Sequence, residues 1–138
     1  MNIVNASRVV IVTGGRDFKS FRMVNYVLSA THTKEPISLL IHGACRGADL
    51  LCEDWAKSKE VPYLGVPAEW STKKISGVSP GIARNKQIAH LCECAELIWF
   101  PGASGTSHMV AYCRNQGMTV TSALSLIPFG EEKSWLYT

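Results

Sequence analysis

Five short apolar runs constrain the fold of this chain more than any other feature of its sequence. The runs occupy residues 8–13, 37–43, 61–67, 96–102 and 118–123. They are rich in β-branched residues and lack strict alternation, which is typical of strands that are covered on both faces. Pro62 limits the third run to an edge strand or to the start of a strand.

Segments with helical periodicity separate these runs. The clearest buried stripe, at i, i+3, i+4, i+7 and i+8, consists of Ala48, Leu51, Cys52, Trp55 and Ala56. Similar stripes begin at Phe21, Ile88 and Met109, and Gly117 stands where the last helix would be capped. This alternation predicts an α/β fold: a doubly wound, parallel five-stranded sheet with helices on both faces.

The length of 138 residues predicts a single domain. We expect its core over residues 8–123 and an irregular C-terminal tail over 124–138. Exposed aromatic patches are uncommon, so we expect the apolar side chains of the tail to pack on the body of the protein or on another subunit. These side chains are Phe129, Trp135, Leu136 and Tyr137.

The net charge indicates which class of ligand the protein could bind, and the cysteine content indicates the cellular compartment. The net charge is +3 and the isoelectric point is near 8.6, below the value of about 9 that is typical of nucleic-acid-binding domains. An anionic ligand held by a few arginines suits this charge. The five cysteines, the absence of a signal peptide and the absence of an apolar run of membrane-spanning length predict a reduced, cytoplasmic protein.

Polar and glycine-rich segments follow four of the predicted strands. They are TGGRDF at 13–18, HGACRGAD at 42–49, PAEW at 67–70 and FPGASGTSH at 100–108. In an open parallel sheet, ligands bind beyond the carboxyl ends of the strands, where the strand order reverses. The sequence therefore predicts a ligand site at this edge of the sheet.

The glycines of these segments favour a site for an anion. Glycine allows close approach to the backbone, and a helix N-terminus behind it offers free N–H groups. The segment GASGTS would hold a phosphate through Gly102, Gly105 and the hydroxyls of Ser104, Thr106 and Ser107; Gly14, Gly15 and Gly43 would complete the cradle. The alternative is that each glycine only serves a tight turn between a strand and a helix.

Three arginines accompany these loops. Arg16 and Arg46 would lie beside the crevice, where a guanidinium can bind phosphate oxygens in bidentate fashion. Arg84 and Asn85, after Ser79-Pro80 at a helix start, would add a third cation and an amide. The alternative for Arg84 is an exposed position on a helix face. The arginines favour anion binding over simple turns, which do not need them.

The acidic residues near the crevice allow two interpretations. Asp17 and Asp49 could cap a first helical turn and pair with the preceding arginine, or accept a ribose hydroxyl. Glu69 could contact a ribose or an amino group. Trp70 could stack on a base, although a packed tryptophan is the commoner case.

Histidine and cysteine patterns suggest little catalytic chemistry. His108 could bind a phosphate, act as a general acid, or simply pack. Cys45 lies near Arg46, where the pKa of a thiol could be lowered, but no histidine pairs with it in the sequence. His90 and Cys94 lack a second pair of ligands for zinc. We therefore predict no catalytic residue, no metal and no cofactor.

The motifs GGRDF, HGACRGAD, AEW with SPGIARN, and FPGASGT, in this order, resemble the SLOG superfamily, and most closely its small stand-alone YspA-like branch. The superfamily groups the DNA-processing DprA proteins with the LOG phosphoribohydrolases, and the resemblance runs from about residue 8 to 121. It implies a Rossmann-like sheet that binds nucleotides, ADP-ribose-like compounds or nucleic acid. Many members are inferred to be ligand sensors, stand-alone members are frequent in phage genomes, and relatives assemble through their helices.

One departure from the LOG pattern affects catalysis. The LOG hydrolases carry Pro-Gly-Gly-x-Gly-Thr-x-x-Glu, and that glutamate takes part in breaking the glycosidic bond. Counted from Pro101, Ala103 replaces the second glycine and Met109 replaces the glutamate. Methionine cannot transfer a proton, so the phosphate-binding half of the motif is present and the catalytic half is absent.

Three functions follow as hypotheses. The first is a homo-oligomeric protein that binds a nucleotide-derived small molecule as a sensor or a sequestering protein, such as a phage sponge against host defence. The second is a nucleotide N-glycosidic hydrolase that uses Glu69, Asp17 or His108 instead of the missing glutamate. The third is binding of single-stranded nucleic acid, which needs a basic track with interleaved aromatic residues. We expect the first.

Overall fold

A computed structural model describes residues 7–69 and 79–136 of the chain. Its five strands pair in parallel in the order β3-β2-β1-β4-β5. The strands are β1 (Val9–Thr13), β2 (Leu39–His42), β3 (Tyr63–Gly65), β4 (Glu96–Trp99) and β5 (Thr119–Ser122). The predicted five-stranded parallel sheet is confirmed, and the strand order reverses between β1 and β4.

Helices cover both faces of the sheet. They are α1 (Phe21–Lys34), α2 (Ala48–Ser58), α3 (Pro80–Ala89), α4 (Ser104–Asn115) and the short α5 (Glu132–Trp135). The first two pack on one face and the next two on the other. Gly117, two residues after α4, has a φ of +78°, the left-handed conformation expected beyond a helix C-cap.

The apolar runs contribute residues to two hydrophobic cores, one on each face of the sheet. In β1, Val10 and Val12 belong to the core with α1 and α2, while Val9 and Ile11 belong to the core with α3 and α4. Successive side chains of a strand point to opposite faces, so a run with apolar residues at every position supplies both cores. This explains why the runs do not alternate.

The third strand is the shortest, with three residues at the edge of the sheet. Pro62 precedes it and uses its carbonyl to accept a hydrogen bond of 2.9 Å from the amide of Leu40. A proline has no amide to donate, so this position before an edge strand is compatible with the sheet, as the sequence predicts.

The tail is more regular than the prediction of an irregular segment over 124–138. A 3-10 helix spans Ala123–Leu126, and α5 follows near the end of the chain. Burial explains the difference, because Ala123, Ile127 and Trp135 all enter the core of α1 and α2. Phe129, in contrast, is fully exposed. Tyr137 lies outside the described residues.

The indole of Trp135 fixes the end of the tail on α1. Its ring meets Tyr26 edge-on at 4.9 Å between centroids, and the Arg22 guanidinium lies 4.3 Å above it. The Ser20 hydroxyl, which also caps α1, donates to the Trp135 carbonyl. These contacts bring the following residue, Leu136, to the carboxyl edge of the sheet.

None of the helices in residues 7–69 and 79–136 has the length and apolar character that crossing a membrane requires.

Candidate functional site

A crevice of about 1070 Å³ opens at the carboxyl ends of β1 and β4, at the point where the strand order reverses. Five segments contribute to it: the loops after β1 and β2, the loop after β4 with the first turns of α4, the start of α3, and Leu136 of the tail. Most of the predicted site residues line this crevice. They are Gly14, Gly15, Arg16, Asp17, Arg46, Asp49, Arg84, Asn85, Gly102, Ser104, Gly105, Thr106 and His108.

Some predicted site residues that the structure describes do not line it, among them Gly43 and Glu69. Gly43 lies behind the lining residues, where a Cβ atom would stand 2.5 Å from Nη1 of Arg84, so glycine lets that guanidinium approach the backbone. Glu69 is exposed and is not among the lining residues. Trp70 lies outside the described residues.

The loops after β1 and β4 meet backbone to backbone. The amide of Gly15 donates to the carbonyl of Pro101 at 2.8 Å. A Cβ atom on Gly15 would lie 2.9 Å from that oxygen, and one on Gly102 would lie 2.7 Å from the nitrogen of Gly15 and would also collide with Thr106. Both glycines therefore serve close packing of the two loops rather than an open cradle.

The start of α2 packs against the same place. A Cβ atom on Gly14 would lie 2.5 Å from Cβ of Ala48. The carbonyl of Gly15 accepts hydrogen bonds from the amides of Ala48 at 3.1 Å and Phe18 at 3.3 Å. Gly47, at the N-cap of α2, has a φ of +84°. This helix start is thus largely occupied by the protein's own backbone.

The start of α4 is different. Its N-cap residue, Ala103, provides no side-chain hydrogen bond to the helix. A Cβ atom on Gly105 would meet no described atom within 4 Å, so this glycine leaves open space beside the first turn. The first amides of a helix have no acceptor within the helix and carry a partial positive charge. The α4 start therefore offers an uncapped anion-binding surface to the crevice.

The hydroxyls of α4 divide between the crevice and the helix. Ser104 and Thr106 line the crevice, and Thr106 is buried beneath Gly102. The hydroxyl of Ser107, predicted as a further donor, donates instead to the carbonyl of Ala103 at 3.1 Å and does not line the crevice.

Asp49 is held inside the loop before α2. Its Oδ2 accepts hydrogen bonds from the amides of Gly43 at 3.0 Å and Cys45 at 3.3 Å. The residue is 5% exposed, and Oδ1 has no partner among the described residues. Burial raises the pKa of the Asp49 carboxyl, against the opposing effects of these amides and of the charges of His42 and Arg84. Neither capping nor pairing with Arg46 describes its role.

Arg84 uses its donors within the protein. Its Nε donates to Oδ1 of Asn85 at 3.0 Å, and Nη1 donates to the carbonyls of Gly43 and, at 3.3 Å, Val66. Nη2 lies 3.7 Å from the sulfur of Cys45. The side chain is half-buried, so the alternative of an exposed arginine on a helix face is wrong. Arg84 gives the crevice positive charge from a fixed position.

The other cations at the crevice are exposed. Arg46 forms an ion pair with Asp17 at 3.3 Å, across two loops, in which the side chains are 69% and 92% exposed. Pairs this exposed contribute about 0–1 kcal/mol to stability. Arg16 lies nearby, and Lys19 is a lining cation that sequence reasoning missed. The exposed side chain of Arg46 can reorient toward an anion at little cost.

Asn85 joins α3 to α4 beneath the crevice. It is buried, and its Nδ2 lies 3.4 Å from the carbonyl of Gly105 and 3.3 Å from Nδ1 of His108. Burial, and then the charge of Lys86, lower the pKa of His108. At neutral pH this imidazole is therefore uncharged and lines the crevice as a polar neutral group.

Sequence reasoning also missed several uncharged lining residues. Ser79 caps α3 by accepting from the amide of Ile82 at 3.3 Å, a role that the Ser-Pro pair could have suggested. Leu136 reaches the crevice only because the tail folds back over α1, and no local pattern signals such a return. Cys45, which the sequence suggests only as a reactive thiol, lines the crevice and contacts Nη2 of Arg84.

The metal and LOG-type patterns have plain structural explanations. Within residues 7–69 and 79–136, no three or more histidine, cysteine or acidic side chains are grouped to hold a metal ion. His90 instead contacts the hydroxyl of Tyr112 at 2.6 Å. Met109, at the position of the LOG glutamate, is buried in the core between α4 and the sheet and does not line the crevice.

The sheet order and the crevice at its switch point define a Rossmann-like α/β protein. Residues 8–72 match the sequence model of the YAcAr family, described as the YspA, cpYpsA-related SLOG family. The chain is thus similar to the SLOG superfamily over these residues, which make up a little less than half of its length. The match covers the first half of the motif series, through the AEW segment.

A solved structure shows the same fold. It is the X-ray structure of DNA processing protein A (DprA) from Streptococcus pneumoniae, with a TM-score of 0.51 and 15% sequence identity. The alignment covers 84% of this chain and 59% of that chain, so the present chain spans about three fifths of DprA. At this identity the likeness concerns the fold alone. Among curated proteins, none matches the chain in sequence.

Proposed function

We propose that the protein binds a nucleotide-derived small molecule, a nucleoside phosphate or an ADP-ribose derivative, in the crevice at the carboxyl edge of the sheet. One observation carries this proposal. The first turn of α4 is uncapped by any side chain and is open at Gly105, in a crevice that also contains Arg16, Arg46 and Arg84.

The anionic part of the ligand would bind at α4. Backbone amides at a helix start bind phosphate well when no protein group occupies them, and among the helix starts at this edge α2 is occupied by Gly15. Arg16 and Arg46 would close over the phosphate with bidentate hydrogen bonds. Arg84, with its donors already engaged, would act through its charge.

The sugar would contact Asp49 rather than Glu69. Asp49 lines the crevice with a buried carboxylate oxygen that has no partner in the described residues, and Glu69 does not line it. A buried polar atom without a hydrogen bond costs about 1–3 kcal/mol. Oδ1 is covered in this structure, so a small shift of the loop on binding would let a ribose hydroxyl donate to it and recover that cost.

The size of the crevice favours a larger nucleotide derivative. Pockets for small ligands commonly measure about 300–1000 Å³, and this one, at about 1070 Å³, is slightly larger than that range. An ADP-ribose-like compound would fill it more completely than a nucleoside monophosphate would.

Binding without turnover is the activity that we propose. Methionine stands at the position of the LOG glutamate and is buried outside the crevice, so this position supplies no carboxylate there. His108 is hydrogen-bonded to Asn85. A sensor or a protein that sequesters a signal nucleotide in the cytoplasm would need binding only. Self-association is part of the proposal, and the fully exposed Phe129 is a side chain that a second copy could cover.

Native mass spectrometry of the purified protein, followed by identification of whatever small molecule denaturation releases, tests the proposal. Calorimetric titration of ADP-ribose and AMP would follow. We expect Gly105→Ala to weaken binding about tenfold, or about 1.4 kcal/mol, since the added methyl enters the open space at the helix start. Ser107→Ala, on the same helix turn but outside the crevice, is the matched control and should bind as the wild type does.

Three outcomes would redirect the proposal. Recovery of ribose phosphate or free base from the added nucleotide would indicate an enzyme. Affinity for oligonucleotides that falls steeply with salt would indicate nucleic-acid binding. Equal binding by Gly105→Ala and wild type would show that the ligand does not occupy the start of α4.

A further inference from the structure

Two neighbouring groups, Nε of Arg84 and the carbonyl of Gly105, determine which end of the Asn85 amide is the oxygen and which is the nitrogen. Nε of Arg84 can only donate, so the atom that it meets at 3.0 Å must be the oxygen of Asn85. The carbonyl of Gly105 can only accept, so the atom 3.4 Å from it must be the amide nitrogen. Both constraints give the same orientation, with Nδ2 turned toward α4.

This orientation determines where His108 carries its proton. Nδ2 of Asn85 is a donor, and it lies 3.3 Å from Nδ1 of His108. A proton on Nδ1 would place two N–H donors face to face. Nδ1 must therefore be unprotonated and accept the hydrogen bond from Nδ2 of Asn85. In a neutral imidazole the proton then resides on Nε2. The chain from Arg84 through Asn85 to His108 therefore selects one tautomer.

The groups around the ring agree with a neutral imidazole. Burial lowers the pKa of His108, and the positive charge of Lys86 on α3 lowers it further. Tyr112 stacks on the ring at 6.1 Å with an angle of 17° and engages His90 through its hydroxyl. Among the described residues, no hydrogen-bond partner meets Nε2 of His108, and the residue lines the crevice.

We propose that His108, oriented by Asn85, is a specificity-determining residue that donates its Nε2 proton to a second acceptor on the bound ligand, and that the ligand is therefore of the diphosphate type. This inference rests on the proposed function of the crevice. His108 follows Gly105 by three residues, which is about 4.5 Å along a helix. A phosphate bound at the helix start would thus place a second phosphate within reach of His108, and a monophosphate has no such group.

The donor is neutral, so it selects by hydrogen bonding and not by charge. An acceptor oxygen facing Nε2 gains a hydrogen bond, and a ligand without one leaves a polar N–H unsatisfied in a partly buried place. Sites of this kind discriminate strongly against ligands that lack the matching atom.

Nitrogen NMR of the histidine rings at pH 7.5 tests the tautomer without any ligand. We expect Nδ1 of His108 to show the shift of an unprotonated nitrogen and Nε2 that of an N–H group. Asn85→Asp should reverse this pattern or produce the doubly protonated ring, since a carboxylate accepts from Nδ1. An Nδ1-protonated or doubly protonated ring in the wild type would overturn the inference.

Titration of ADP-ribose and AMP tests the ligand class. We expect His108→Phe to weaken ADP-ribose binding at least tenfold and AMP binding less than twofold. His108→Gln, whose amide nitrogen can replace Nε2, should recover most of the loss. Equal effects of His108→Phe on both ligands would overturn this inference and leave the proposed function intact. Failure of the wild type to bind either ligand would overturn both.

Discussion

Two sides of the crevice are stabilised in different ways, one by close backbone packing and the other by side-chain hydrogen bonds. The glycine side consists of Gly14, Gly15 and Gly102, where backbone meets backbone and a single methyl group would collide with a neighbour. The polar side consists of Asp49, Arg84 and Asn85, where side chains hold the loops through hydrogen bonds. The glycine side depends on close backbone contact, which requires residues without a side chain. The polar side depends on hydrogen bonds between side chains and the backbone.

The difference determines how each side responds to change. Close backbone packing leaves no room for any larger residue, and it is insensitive to pH. Hydrogen-bonded side chains allow conservative replacement, but they depend on protonation and on complete sets of partners. Gly105 belongs to neither side, because a Cβ atom there would enter open space. A substitution at Gly105 is therefore the control for substitutions of the packed glycines.

The largest effect should come from Gly102→Ala. Its Cβ would lie 2.7 Å from the amide nitrogen of Gly15 and would collide with Thr106, so we expect a loss of about 3 kcal/mol in the free energy of unfolding. Gly105→Ala should leave stability unchanged or raise it by up to about 1 kcal/mol. Urea denaturation measures both. Equal stability of the two variants would contradict the distinction between the tightly packed Gly102 and Gly105, which borders open space.

Arg84→Met should have the next largest effect. It removes donors from the carbonyls of Gly43 and Val66 and from Asn85, and we expect a loss of about 2 kcal/mol. Arg46→Met removes only an exposed ion pair and should change stability by less than about 0.5 kcal/mol. Thermal and urea unfolding give the comparison. A larger loss for Arg46→Met would show that the exposed ion pair, not the half-buried guanidinium of Arg84, stabilises the loops.

The pH dependence of Asp49 should be the smallest effect. Its pKa in the folded protein is raised above the ordinary value of 3.8, so the folded state binds this proton more tightly than the unfolded state. The corresponding stability is fully present below pH 3.8 and is lost as pH rises through the folded pKa. The stability of wild type relative to Asp49→Asn should therefore fall as pH rises from 3 toward 7. Asp17→Asn is the exposed control, and a similar trend there would contradict this assignment.

The sequence predicts the location of the crevice because location depends on order along the chain. Each apolar run that ends at glycine or a polar residue marks one strand end, and parallel strands bring such ends to the same edge. The individual roles at that edge depend on contacts between distant segments. Gly102 and Gly105 lie three residues apart in one motif, yet only the packing against Gly15 separates a scaffold glycine from an open one.

Side-chain roles are even less accessible from sequence. The order Arg84-Asn85 suggests a cation and a ligand-binding amide, but the carbonyls that engage Arg84 come from the ends of β2 and β3. Asp49 lies four residues after Cys45, in the first turn of α2, and its burial depends on the preceding loop folding back over it. The regular structure of the tail depends on the pocket that α1 provides for Trp135.

Gly15 joins the loops after β1 and β4 and the start of α2 at a single residue, through its amide and its carbonyl. Loops joined in this way cannot shift one at a time, so an incoming molecule meets a frame that is already assembled. We therefore expect recognition with little induced fit, in which the affinity is not reduced by the entropy of ordering three separate segments.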